Sequence, residues 1–130
     1  MAQKENNIIP MIFDEAFYRK MATQKWRQQD YKKAAEYYEK VLELSPKDFD
    51  IQQHYAQCLV KLNIGKKAER LFYENIVKDF HVAESFYELS QLNIELNEPN
   101  KAFLFGINYV ILSEDKDFRE MLEKTFEVTY

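Results

Sequence analysis

Cysteine, glycine, histidine, proline and tryptophan are all scarce in this 130-residue chain, with 1, 2, 2, 3 and 1 copies. The single Cys58 excludes an intramolecular disulfide, and its place in a helical pattern predicts an inward-facing small apolar filler. Two glycines, Gly65 and Gly106, cannot build a glycine-rich phosphate loop. The two histidines, His54 and His81, fall in no HExxH or CxxC spacing, so no zinc motif can be written, and no cofactor is expected. Scarce glycine and proline argue against a many-turned β protein and for helices, whose interiors exclude both residues. No apolar run is long enough for a transmembrane helix or the core of a secretory signal. The expectation is a cytoplasmic protein with no membrane partner.

Excess positive charge is also lacking. The net charge is −4, from 18 basic and 22 acidic residues, so the chain-wide basic field that nucleic acid binding requires is absent. The charge is uneven. Residues 1–48 hold 9 basic and 8 acidic groups, residues 49–82 hold 5 and 4, and residues 83–130 hold 4 and 10. The acidic last third reads either as a solvated end or as a docking surface for a basic partner.

What the chain does have is a period. Ala34, Ala68 and Ala102 are spaced 34 residues apart. The same spacing relates small Ala22, Ala56 and Ser90, then Tyr38, Phe72 and Gly106, then Leu42, Ile76 and Val110. A fixed period of this length marks stacked supersecondary units that share one continuous core. Three gapless units follow, at 15–48, 49–82 and 83–116, with an N-terminal extension over 1–14.

Each unit reads as two helices. In the first, Phe17, Tyr18, Met21 and Ala22 make an apolar stripe, and Gln28, Gln29 and Asp30 interrupt it, with Asp30 a candidate N-cap. The second helix spans 31–44 and stops at Ser45-Pro46. The second unit predicts helices over 51–62 and 66–78, the third over 83–96 and 100–112, with Pro99 in the first turn of the latter. A seventh helix over 117–128, with Phe118, Leu122 and Phe126 along one face, suits a C-terminal cap on an exposed repeat face. Gly106, costly inside a helix, predicts a bulky neighbour, with the seventh helix as its source. The apolar stretch from Ile8 to Phe13 either packs on the first helix pair or serves self-association or partner docking.

The first unit, from Glu15-Ala16-Phe17-Tyr18 through Asp30-Tyr31-Lys32-Lys33-Ala34 to Leu42-Glu43-Leu44-Ser45-Pro46, resembles a tetratricopeptide repeat (TPR). The resemblance covers 15–116 and implies an all-α fold: a right-handed α-solenoid of three helix pairs plus the C-terminal capping helix over 117–130. Lys25 and Asn93 depart from the family's tyrosine, and Phe80 and Glu114 from its closing proline. More loosely, the chain is similar to the N-terminal region of uncharacterised TPR proteins of low-GC Gram-positive bacteria. Some of those are longer, so the chain also reads as a candidate fragment of a bacterial protein.

The resemblance implies a concave groove lined by the first helix of each repeat. Carried onto this sequence, that groove would present Ala16, Arg19, Thr23, Trp26 and Arg27, then Asp50, Gln53, Gln57, Val60 and Lys61, then Glu84, Tyr87, Gln91, Ile94 and Glu95. Arg19, Trp26, Arg27, Lys61, Tyr87 and Ile94 are the strongest candidates, because Arg and Trp combine large contact area with directed donors. The clamp type of TPR domain, which holds a C-terminal carboxylate, would need cations where this chain has Glu84 and Glu88, so that ligand is excluded.

The function expected is therefore a non-enzymatic scaffold or adaptor that holds a protein or peptide segment. A secretion-type chaperone that shields an apolar client segment is one rival. A protein self-associating through residues 8–13 or the last helix is the other. His54 and Cys58, four apart on one helix, could pair as base and nucleophile, but a buried thiol near a groove histidine is the simpler reading. Glu114, Asp115 and Asp117 lack the arrangement of a calcium loop and read as a solvated linker.

Overall fold

The computed structural model describes residues 14–126, and the extension from Ile8 to Phe13 and the last residues of the expected cap lie outside them. Among the described residues there are seven α-helices and no strand. They are α1 (Glu15–Arg27), α2 (Tyr31–Leu44), α3 (Phe49–Lys61), α4 (Gly65–Val77), α5 (Val82–Glu95), α6 (Pro99–Ser113) and α7 (Lys116–Phe126). They cluster into two compact units that divide between Ile64 and Gly65. In the first unit α1 packs on α2 and α2 on α3; in the second α4 packs on α5, α5 on α6 and α6 on α7.

Capping chemistry explains where several helices begin. Asp14, Asp30 and Asp48 each accept a backbone N–H three residues on, from Phe17, Lys33 and Ile51, at 3.0, 3.2 and 3.1 Å. A carboxylate there satisfies an orphan donor and favours the positive end of the helix dipole. The Asp48 cap starts α3 at Phe49, two residues before the position expected from apolar periodicity. Pro99 is the first residue of α6, where its missing N–H costs little.

The 34-residue period has a backbone counterpart. Gln29, Asn63 and Asn97 all adopt left-handed geometry, with φ of 61°, 63° and 59°. Behind them, the amides of Asp30, Ile64 and Glu98 reach back to the carbonyls of Lys25, Leu59 and Asn93 at 2.9, 2.8 and 2.8 Å. This is the Schellman stop, which satisfies carbonyls left open at a helix end. The first helix of every pair therefore ends in the same way. Proline closes only the first repeat; Asp79, His81 and Glu114, with φ of 64°, 50° and 58°, turn the chain where the second and third lack it.

The small residues of the ladder are all buried. Ala34, Ala68, Ala102, Ala22, Ala56 and Ser90 are 0% exposed. In the second unit one helix contact is explicit: the Ser90 hydroxyl of α5 donates to the Ala102 carbonyl of α6 at 2.8 Å. A larger side chain at either of these two positions would part the two helices. Around these points pack Tyr38, Val41 and Leu59 in the first unit and Phe72, Leu89 and Leu122 in the second. Cys58 is 0% exposed, and burial pushes its thiol up to about 12, which leaves it protonated and a poor nucleophile.

Candidate functional site

In the first unit an ion network links the first turns of α1 to the N-cap of α3. Arg19 Nη2 pairs with Glu15 Oε2 at 2.6 Å and also with Asp48, the residue that caps α3. Ser45 at the end of α2 donates to the other Glu15 oxygen at 2.6 Å. The Ser45 hydroxyl, then Arg19, hold the Glu15 carboxyl below its ordinary range. At Asp48 burial pushes upward, but the Arg19 guanidinium and the Ile51 amide outweigh it, and the carboxyl ends below its usual value. Arg19, expected as a ligand anchor, has its charge engaged within the fold.

The other α1 candidates divide. Thr23 and Arg27 are exposed, and the Thr23 hydroxyl donates to the Arg19 carbonyl at 3.0 Å. A cleft of about 640 Å³ is lined by Arg19, Lys20, Thr23, Gln24, Arg27 and Gln28. Trp26 is half-buried, its indole meeting the Tyr31 ring edge-on with centroids 5.2 Å apart. From α3, Lys61 sets its ammonium 5.9 Å from the centre of that same Tyr31 ring. Tyr31 thus joins Trp26 to Lys61, two candidates 35 positions apart in the chain. Tyr31 was no groove candidate because repeat register counts only the first helix of each pair and Tyr31 opens the second; an aromatic five residues after the only tryptophan was the available signal.

Along α3 the remaining candidates are less accessible. Gln53 is 3% exposed, while Gln57 and Val60 are half-buried. The expected face assigned Gln53 by repeat position alone, and tertiary packing has covered it. His54 is exposed, its Nδ1 2.9 Å from the Asp50 carbonyl and its ring 6.0 Å from that of Tyr38.

In the second unit, Tyr87 of α5 belongs to an aromatic junction. Its ring lies 5.1 Å from Tyr109 of α6 and 5.2 Å from Phe118 of α7, and Tyr109 meets Phe118 edge-on at 5.0 Å. Gln91 donates to the Tyr87 hydroxyl at 3.3 Å. The Tyr109 hydroxyl donates to Asp115 at 2.8 Å, and the Phe118 amide donates to the other Asp115 oxygen at 2.9 Å. The Phe118 amide first, then Tyr109, hold the Asp115 carboxyl below its usual range, and Asp115 raises Tyr109 in return. Ile94 is 37% exposed and Glu95 is exposed.

Among the described residues no three His, Cys, Asp or Glu side chains cluster to hold a metal ion. No helix there is long and apolar enough to cross a membrane.

Residues 25–72 match the family model described as tetratricopeptide repeat. That match covers less than half of the chain. Eight chains of solved structures match it. One, the crystal structure of MamA protein, superposes with a TM-score of 0.75 at 19% identity over 87% of this chain. The match spans 62% of the MamA chain, so this chain covers less than two thirds of that chain's length. At that identity the likeness establishes the all-α TPR solenoid fold. No curated protein matches the chain. TPR helix pairs of this kind form protein–protein interaction modules.

Proposed function

We propose that the protein is a non-enzymatic scaffold or adaptor that holds an acidic segment of a partner protein on the first-helix faces of its first unit, carried by α1 and α3. The observation that carries this reading is the Trp26–Tyr31–Lys61 cluster beside the exposed face of α1. It brings two helices' candidates together at one end of the first unit. It combines aromatic area with a cation partly stacked on a ring, the combination that dominates binding hot spots. Lys20 and Arg27, both exposed on α1, extend the positive surface next to it. Arg19 is left out of the contact set because Glu15 and Asp48 already hold it.

The test is affinity purification from the native host with mass spectrometry, comparing the wild-type chain with an Arg27→Glu/Lys61→Glu variant. Both positions are exposed, so the variant should fold. Partners that vanish in the variant and remain with wild type support the reading. An unchanged partner list would move the site off this surface.

A further inference from the structure

The exposed side of α1 carries a pattern of its own. Ala16, Lys20, Thr23 and Arg27 are all exposed, and steps of four, three and four residues separate them. Residues so spaced lie along one side of a helix. Two small residues seven apart therefore alternate with two cations seven apart. The cleft of about 640 Å³ lies on this side, since Lys20, Thr23 and Arg27 line it with Arg19, Gln24 and Gln28. Its lining holds three cations and no carboxylate. Glu15 and Asp48, which hold Arg19, are not part of that lining. Among the described residues no carboxylate pairs with Lys20 or Arg27.

The spacing selects the shape of the anion. At a rise of about 1.5 Å per residue, Lys20 and Arg27 stand about 10.5 Å apart along the helix axis. A long helical side chain leans over the turn before its own. Lys20 thus leans toward Ala16 and Arg27 toward Thr23, so the two charges stay apart and a single phosphate or carboxylate meets only one of them. An extended segment presents residues of one face about 6.6 or 13.2 Å apart, and neither figure fits. A helix lying along α1 presents residues seven apart at about 10.5 Å, which does fit. Thr23, small and midway between the cations, lets such a helix come close.

We infer, resting on the first-unit reading above, that the α1 cleft seats an α-helical segment of a partner protein, whose carboxylates seven residues apart pair with Lys20 and Arg27. This adds the partner's secondary structure and its charge spacing to that reading. Exposed ion pairs contribute little affinity each, but unpaired or misplaced charges are disfavoured, so the pairs fix register and partner choice more than strength.

The probes are two lactam-stapled helical peptides of about three turns and identical composition. One carries two glutamates seven residues apart; in the other they are five apart, which turns the second about 140° away from the first. Both are titrated by fluorescence anisotropy at low salt, where exposed charges are least screened. The protein is wild type or carries Lys20→Gln/Arg27→Gln. The seven-spaced peptide should bind wild type at least about fivefold more tightly than the five-spaced one, and the double variant should erase that preference. Each single variant should remove part of it. Equal binding of the two peptides to wild type would overturn the helical register and leave the acidic-segment reading standing. A preference that survives in the double variant would move the paired acids off this cleft and overturn the inference. Failure of both peptides to bind would overturn it too, while the Arg27→Glu/Lys61→Glu comparison in the native host judges the broader reading separately. Both substituted side chains are exposed, and circular dichroism melts should confirm an unchanged fold.

Discussion

A methyl group placed on Gly106 would stand 2.7 and 3.0 Å from the two terminal carbons of Leu122, and 3.0 Å from the Ser90 hydroxyl. Gly106 has ordinary negative φ, so space and not backbone freedom selects the glycine. The seventh helix anchors itself by pushing Leu122 against bare backbone of α6.

Gly106→Ala therefore sets two effects against each other. Alanine gains about 1 kcal/mol of helix propensity, while overpacking a filled site costs about 1–3 kcal/mol. Leu122 is 0% exposed and Ser90 is held by Ala102, so neither neighbour has open space to yield into. The expected result is net destabilisation in urea melts. In a Leu122→Ala background the added methyl should become neutral or stabilising, and the two changes should be non-additive. Stabilisation by Gly106→Ala alone would show that α7 does not press on this point.

Gln29 holds the left-handed position that Asn63 and Asn97 hold in the next two turns. Asparagine tolerates that region better than glutamine, and glycine better than either. Gln29→Gly should raise stability by roughly 0.5–1 kcal/mol. Asn63→Gly should change it less. The check is the difference in denaturation midpoint at constant m-value. A loss of stability at position 29 would contradict the Schellman assignment.

The Glu15–Arg19–Asp48 network predicts acid sensitivity of a definite sign. Both carboxyls have lowered values in the fold, so their stabilising contribution is full above the carboxylate range of the unfolded chain. It is lost as pH falls from about 4 through the lower folded values. Thermal melts across that window should show a falling midpoint. Arg19→Met should flatten this acid limb and cost up to about 1 kcal/mol near neutrality, a modest figure because Arg19 is more than a third exposed. An acid limb that persists unchanged in Arg19→Met would place the sensitive carboxyls elsewhere.

Local chemistry made much of this molecule legible in its residues. The alanine ladder marked small residues that are fully buried in the fold, and Asp30 was readable as a cap from its place before an apolar run. Gly106 signalled its neighbour because glycine inside a helix needs a reason. The candidate contact surface was less readable. Repeat register proposed Arg19 and Gln53 as ligand contacts, but Asp48, 29 residues after Arg19, engages the first, and packing covers the second. Tyr87 was expected on a groove, yet its ring closes on Tyr109 and Phe118 from two later helices.

By itself the sequence determined the period, the helices and most of the helix stops, because these depend on residues within about one turn of each other. Only the tertiary structure decided which polar and aromatic side chains remain available to a partner. Availability is set by what arrives from elsewhere in the chain: the Asp48 carboxylate at Arg19, the Tyr31 ring between Trp26 and Lys61, and Leu122 against Gly106. A repeat fixes the direction in which a side chain leaves its helix, and long-range packing decides whether it meets solvent there.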